Sequence, residues 1–113
     1  MKHDFFIESA IDIATRSDMR QKHGAVIVHR NKIIARGYNQ KDNFCEKTSL
    51  HAEVAAILDM KKGRDYPRNF VTMYVIRIGT ENGGTKHSRP CVNCEKSIIK
   101  SGIKRVYFSS NDP

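Results

Sequence analysis

The spacing of apolar positions changes along the chain, and each change marks an element. Residues 4–16 carry apolar side chains at 6, 7, 10, 11, 13 and 14, which is helical spacing with Asp4 available as N-cap. A polar connection over 17–23 follows. Two short apolar runs, 24–28 and 32–36, flank His29, Arg30 and Asn31 and predict an antiparallel hairpin. Gly37, Tyr38 and Asn39 end its second strand, and a loop through Asp42, Asn43 and Cys45 leads onward. A helix over about 52–62 stops at Gly63, with Pro67 beyond it. Residues 71–77 read as a third strand, and 79–89 as a flexible polar loop. A helix from 92 to about 101, capped by Gly102, and a fourth strand over 104–108 complete the pattern. There is no internal repeat.

The order is therefore helix, hairpin, helix, strand, helix, strand. The last strand–helix–strand step sets the third and fourth strands parallel through a right-handed crossover. The expectation is an α/β fold of three layers, a mixed sheet with helices on both faces. At 113 residues it makes one domain, spanning 1–113.

Composition narrows the classes. An apolar fraction of 39% with no long apolar run argues against a membrane span. The first residues hold no signal-peptide core, so a cytoplasmic protein is expected. Three cysteines, two of them in a C-x-x-C, point to metal or redox chemistry rather than a disulfide framework. The net charge of +8 favours phosphate-bearing partners, nucleotide or nucleic acid. Because Lys and Arg are scattered, the same charge also fits a solvated surface.

The chemistry lies in two short stretches. His51 and Glu53 stand at the start of the second helix, and Pro90-Cys91-Val92-Asn93-Cys94 opens the third. One His and two Cys supply three zinc ligands, and a site with three protein ligands keeps its fourth position for water. A glutamate that is not a ligand can take that water's proton and later return one. H-x-E followed by P-C-x-x-C is the pattern of zinc nucleobase deaminases. Both halves sit at helix N-termini, whose positive end lowers a thiolate's pKa. On a regular helix, residues two apart diverge by about 200°. His51 is therefore expected at or before the first turn. The structural alternative is a closed four-ligand zinc site with Cys45 or another histidine as the fourth ligand, which leaves the placement of Glu53 without a reason. Otherwise Cys45 reads as a free loop thiol. His3, His23, His29 and His87 lack metal spacing and read as solvated or locally bonded.

Together with Gly24–Val28, Gly37-Tyr38-Asn39 and the tail 101–107, these motifs make the chain similar to the cytidine/deoxycytidylate deaminase superfamily. The likeness covers most of the sequence. Gly-Tyr-Asn and the tail resemble the deoxycytidylate and tRNA-adenosine deaminase branch. The resemblance implies a cytidine deaminase-like fold, a zinc cofactor held by His51, Cys91 and Cys94, and Glu53 as proton shuttle. It also implies that Asn39 touches the sugar or base and that the Ala52 N–H helps hold the base. Two departures stand out: an eleven-residue loop, 79–89, intervenes between the third strand and Pro90, and the chain is short after the fourth strand.

The implied activity is hydrolytic deamination of a cytosine nucleotide or nucleoside with release of ammonia. Arg16, Arg20 and Lys22 before the first strand, and Lys86, His87 and Arg89 before the metal motif, favour dCMP or CMP. A homo-oligomer is expected, because few strands and a polar 79–89 loop leave the sheet edge and the pocket mouth bare. Two other classes remain: an RNA- or DNA-editing deaminase, and a zinc-stabilised nucleic-acid-binding module without turnover.

Overall fold

Alternation within two central strands decides which helix each residue meets. The computed structural model describes residues 3–19, 21–41, 49–62, 71–78, 85–86, 92–103 and 105–109. Strand β1 (Lys22–His29) lies at the centre, antiparallel to β2 (Lys32–Tyr38) on one side. On its other side runs β5 (Val71–Ile78), also antiparallel. Ala25 and Ile27 point with Val71, Met73 and Val75 to one face, and Val26 and Val28 with Tyr74, Ile76 and Ile78 to the other. With both faces covered, β1 reads as the continuous apolar run Ala25–Val28 rather than as an alternation.

Helix α1 (His3–Ala14) covers the second face with Phe6, Ala10, Ile13 and Ala14. Helix α2 (Ala52–Lys62) covers the first with Ala52, Ala56, Ile57 and Met60, joined by Ile98 of α3 (Val92–Lys100). Helix α3 ends as its sequence indicates. Gly102 takes a φ of 82°, its N–H bonds the Ile99 carbonyl, and the Ile103 N–H reaches back to Ile98. That is a Schellman stop, with Ile98 and Ile103 both buried beside it. Beyond it, β7 (Arg105–Phe108) pairs parallel with β5, as the strand–helix–strand order requires.

Two glycines fix how closely the helices approach. A Cβ on Gly24 would stand 2.1 Å from the Ala10 carbonyl oxygen, so α1 lies directly on β1 there. A Cβ on Gly37 would stand 2.3 Å from the Ala56 nitrogen and 2.6 Å from the Ala52 oxygen. Those neighbours are backbone and cannot rotate away. Gly37→Ala is therefore expected to push α2 off the sheet and cost about 3 kcal/mol, the upper range for overpacking. Denaturant unfolding measures this; a midpoint equal to the parent's would mean that α2 does not rest on Gly37.

The structure also departs from the sequence expectations. Asp4 lies inside the first turn of α1, which begins at His3, so it acts on the helix dipole rather than as N-cap. The hairpin turn is the two residues Arg30 and Asn31, with φ of 51° and 64°, and His29 belongs to β1. A two-residue turn with both φ positive matches the strands' right-handed twist. A short pair, β3 (Gln40–Lys41) with β4 (Ser49–Leu50), precedes α2. Inside the loop expected over 79–89, β6 (Thr85–Lys86) pairs with the end of β5. That part of the outer edge, which the loop's polarity suggested would be bare, is thus paired. The Gly63 cap lies outside the described residues. No described helix is long and apolar enough to cross a membrane.

Candidate metal and substrate site

The chain enters α2 through His51. Its carbonyl accepts the Ala55 N–H at 2.9 Å, which makes it the N-cap, while the helix itself begins at Ala52. The imidazole therefore springs from non-helical backbone and is exposed, as the spacing argument requires. Ala52 is fully buried against the sheet at Gly37. Its N–H, with those of Glu53 and Val54, precedes the first intrahelical bond, so the turn presents donors with no helical partner.

Glu53 follows in the first turn. It is 5% exposed, and its carboxylate has no hydrogen bond or ion pair to another described residue. A buried carboxylate normally finds such a partner, because water no longer solvates it. Among the described residues, packing and the positive helix end are what hold this one. It can accept a proton from a water or ligand set against it.

Helix α3 packs against α2 on the same face. Cys94 is its third residue, while Cys91 lies outside the described residues. Among the described residues, no three His, Cys, Asp or Glu side chains stand together. The donor set still fits zinc: an exposed imidazole at one helix start, a cysteine in the first turn of the helix packed beside it, and a buried glutamate two residues after the imidazole with no partner among the described residues. One nitrogen and two thiolates are zinc's preferred ligands.

Asn39, 6% exposed at the end of β2, ties down the segment leading into β1. Its Oδ1 accepts the His23 N–H at 2.8 Å, its Nδ2 donates to the Gln21 carbonyl at 2.6 Å, and its own carbonyl accepts from Ser17 Oγ at 2.8 Å. The carboxamide is thus engaged by main chain. It is a latch on Ser17, Gln21 and His23, and with its second N–H directed at Met19 Sδ, 3.5 Å away, a direct substrate contact would have to use the remaining lone pair of Oδ1.

Arg77, passed over in the sequence, and His23, read there as solvated or locally bonded, adjoin this place. His23 pairs with Arg77 across β1 and β5. Burial lowers the His23 pKa from its ordinary value, and the positive charges of Arg77 and His51 lower it further. His23 and Arg77 are therefore neighbours. The available signal was strand phase: His23 is in step with Ala25 and Ile27, and Arg77 is in step with Met73 and Val75.

Several known proteins are similar to this chain. A family model described as the cytidine and deoxycytidylate deaminase zinc-binding region matches residues 1–110. ComE operon protein 2 of Bacillus subtilis strain 168 is 31% identical over 125 aligned residues, covering 96% of this chain and 59% of that protein. Human deoxycytidylate deaminase is 32% identical over 128, covering 96% of this chain and 64% of that one. The chain thus spans less than two thirds of the length of these curated relatives. Among solved structures, the apo dCMP deaminase of cyanophage S-TIM5 superposes with a TM-score of 0.76 at 27% identity, covering 97% of this chain and 86% of that one. The same phage enzyme is also known in complex with dCMP and dUMP, where the TM-score is 0.74 and the identity 25%.

Proposed function

The chain belongs to the cytidine and deoxycytidylate deaminase family, and from that premise we propose that it hydrolyses the amino group of a cytosine nucleotide, dCMP or CMP, and releases ammonia. The observation that carries this reading is Glu53, buried with no partner among the described residues in the first turn of α2, two residues after an exposed histidine. A site built only for structure would have no use for it.

His51, Cys91 and Cys94 would hold the zinc. When bound, zinc makes a water acidic enough to attack near neutral pH. Glu53 takes the proton of the attacking water and passes it to the ring nitrogen beside the amino-bearing carbon. It then takes the proton left on the added hydroxyl and delivers it to the amine, as the carbon–nitrogen bond breaks and ammonia departs. One carboxylate serves as base and then acid, so a fixed partner that competed for its oxygens would impede it. The Ala52 N–H at the open helix end can donate to the base. Gly37 lets that end rest on the sheet.

The phosphate preference is supported by the net charge and by the likeness to an enzyme crystallised with dCMP and dUMP. Ammonia release from dCMP, CMP, deoxycytidine, guanine and a tRNA anticodon stem-loop tests it. Cytosine nucleotides are expected to be about a hundredfold better in kcat/KM than deoxycytidine, the worth of a few charge-assisted hydrogen bonds. A ratio near one discards the nucleotide reading, and a strong preference for the stem-loop replaces it with an editing enzyme.

A further inference from the structure

On the face that carries α2, the apolar floor stops short of the site. The sequence of inward positions on β1 runs Ile27, Ala25 and then His23, and on β5 it runs Val71, Met73, Val75 and then Arg77. His23 and Arg77 are direct cross-strand partners. On the other side of β5, strand β6 brings Lys86 into register opposite Arg77. Three adjacent strands therefore place His23, Arg77 and Lys86 in one line. This line lies at the end of the sheet where α2 begins, because Gly37, on which α2's first turns rest, pairs with Ala25 two residues from His23.

Arg77 is unusual within that line. It is half-buried, and its Nε is shielded from solvent with no hydrogen-bond partner among the described residues. No described carboxylate pairs with it. Its backbone is fixed instead, the N–H donating to Ser109 Oγ at 3.1 Å. A guanidinium carries five donors in a rigid fork, and a buried donor left unpaired is costly. An anion entering the site would satisfy it.

We propose that Arg77 is the residue that selects a phosphorylated substrate, its guanidinium holding the 5′-phosphate of the cytosine nucleotide at the β5 end of the pocket, beside Lys86 in the adjoining strand. This rests on the deaminase reading above and assigns the anion's partner within it. Phosphate oxygens accept two parallel N–H bonds from a guanidinium, a geometry that lysine does not reproduce. Selectivity thus resides in a strand residue that the apolar pattern would otherwise have filled with a branched hydrophobe.

The test uses zinc-loaded full-length protein, with kcat/KM measured for dCMP and deoxycytidine in the parent, Arg77→Ala and Arg77→Lys. Affinity for dUMP, measured by calorimetry, supplies a second readout. The preference for dCMP should fall by about tenfold or more in Arg77→Ala, chiefly through KM, and by less in Arg77→Lys. Affinity for dUMP should fall in parallel, and raising salt should erode the parent's preference more than the variant's. Should Arg77→Ala not fold, as judged by its melting curve, Arg77→Lys decides: an unchanged dCMP to deoxycytidine ratio overturns the proposal. An equal loss on both substrates in either folded variant also overturns it, showing a structural role. Deamination by the parent of neither substrate overturns the deaminase reading itself and this proposal with it, so the two failures are told apart.

Discussion

Glu53→Gln is expected to lower turnover by about a thousandfold or more, within the range for loss of a positioned general acid–base, while zinc content and fold are retained. The amide has nearly the volume of the carboxylate, so the buried position at the start of α2 stays filled. What is lost is the capacity to take a proton and return it. The variant should also melt no lower than the parent. A carboxyl group that is 5% exposed with no partner among the described residues is a burden on the folded state. Removing it relieves the burden, as stability is often traded for activity at reactive sites. Steady-state rates, metal analysis and a melting curve on one preparation measure all three. Turnover within a few-fold of the parent would assign the proton transfers to another group.

The second large effect concerns the metal. His51→Ala is expected to abolish stoichiometric zinc binding and activity together. The substitution is informative because His51 caps α2 through its carbonyl, which alanine keeps, and its imidazole is exposed. The loss of zinc is thereby separated from loss of packing. Since α2 and α3 lie against each other, a metal held by the proposed ligands at their starts would crosslink them. Removing a ligand bound about a thousandfold above its Kd forfeits about 4 kcal/mol. For a domain of this size the melting temperature should drop by roughly 15 to 30 degrees. Chelation of the parent should lower it by the same amount and leave His51→Ala unmoved. A variant that still binds one zinc per chain would exclude His51 as a ligand.

Much of the fold was legible because burial on two faces leaves a strong trace. The run Ala25–Val28, the helical spacing of α1 and the Gly102 stop each have one physical reading, and the structure has all three. The parallel placement of β7 followed from connection rules alone. Strands of two residues were missed. Thr85 and Lys86 sit in a polar stretch with no alternation, and they are defined only by pairing with Arg77 and Ile78. Asp4 looked like a cap because capping residues and first-turn acids are the same residue types at neighbouring positions.

The site divides in the same way. His51 at the N-cap could be anticipated, since a regular helix would have turned it away from Glu53. The latch made by Asn39 could not, because its partners Ser17, Gln21 and His23 are brought to it by the return of β1 beside β2. Arg77 was hidden for a related reason. A cation ending an apolar strand reads as the point where the strand reaches solvent, and only the pairing of β5 with β1 and the seating of α2's first turns on Gly37 put it at the end of the sheet where α2 begins.

Zinc-edge X-ray absorption on the purified protein tests the central claim most directly, that His51, Cys91 and Cys94 hold zinc and leave one position for water. One zinc per chain is expected, with two sulfurs at about 2.3 Å and two nitrogen or oxygen neighbours at about 2.0–2.1 Å, one of which changes when dUMP or a cytosine nucleotide is added. Three or four sulfurs around the metal, or a shell indifferent to nucleotide, would mean a closed structural site and would contradict it.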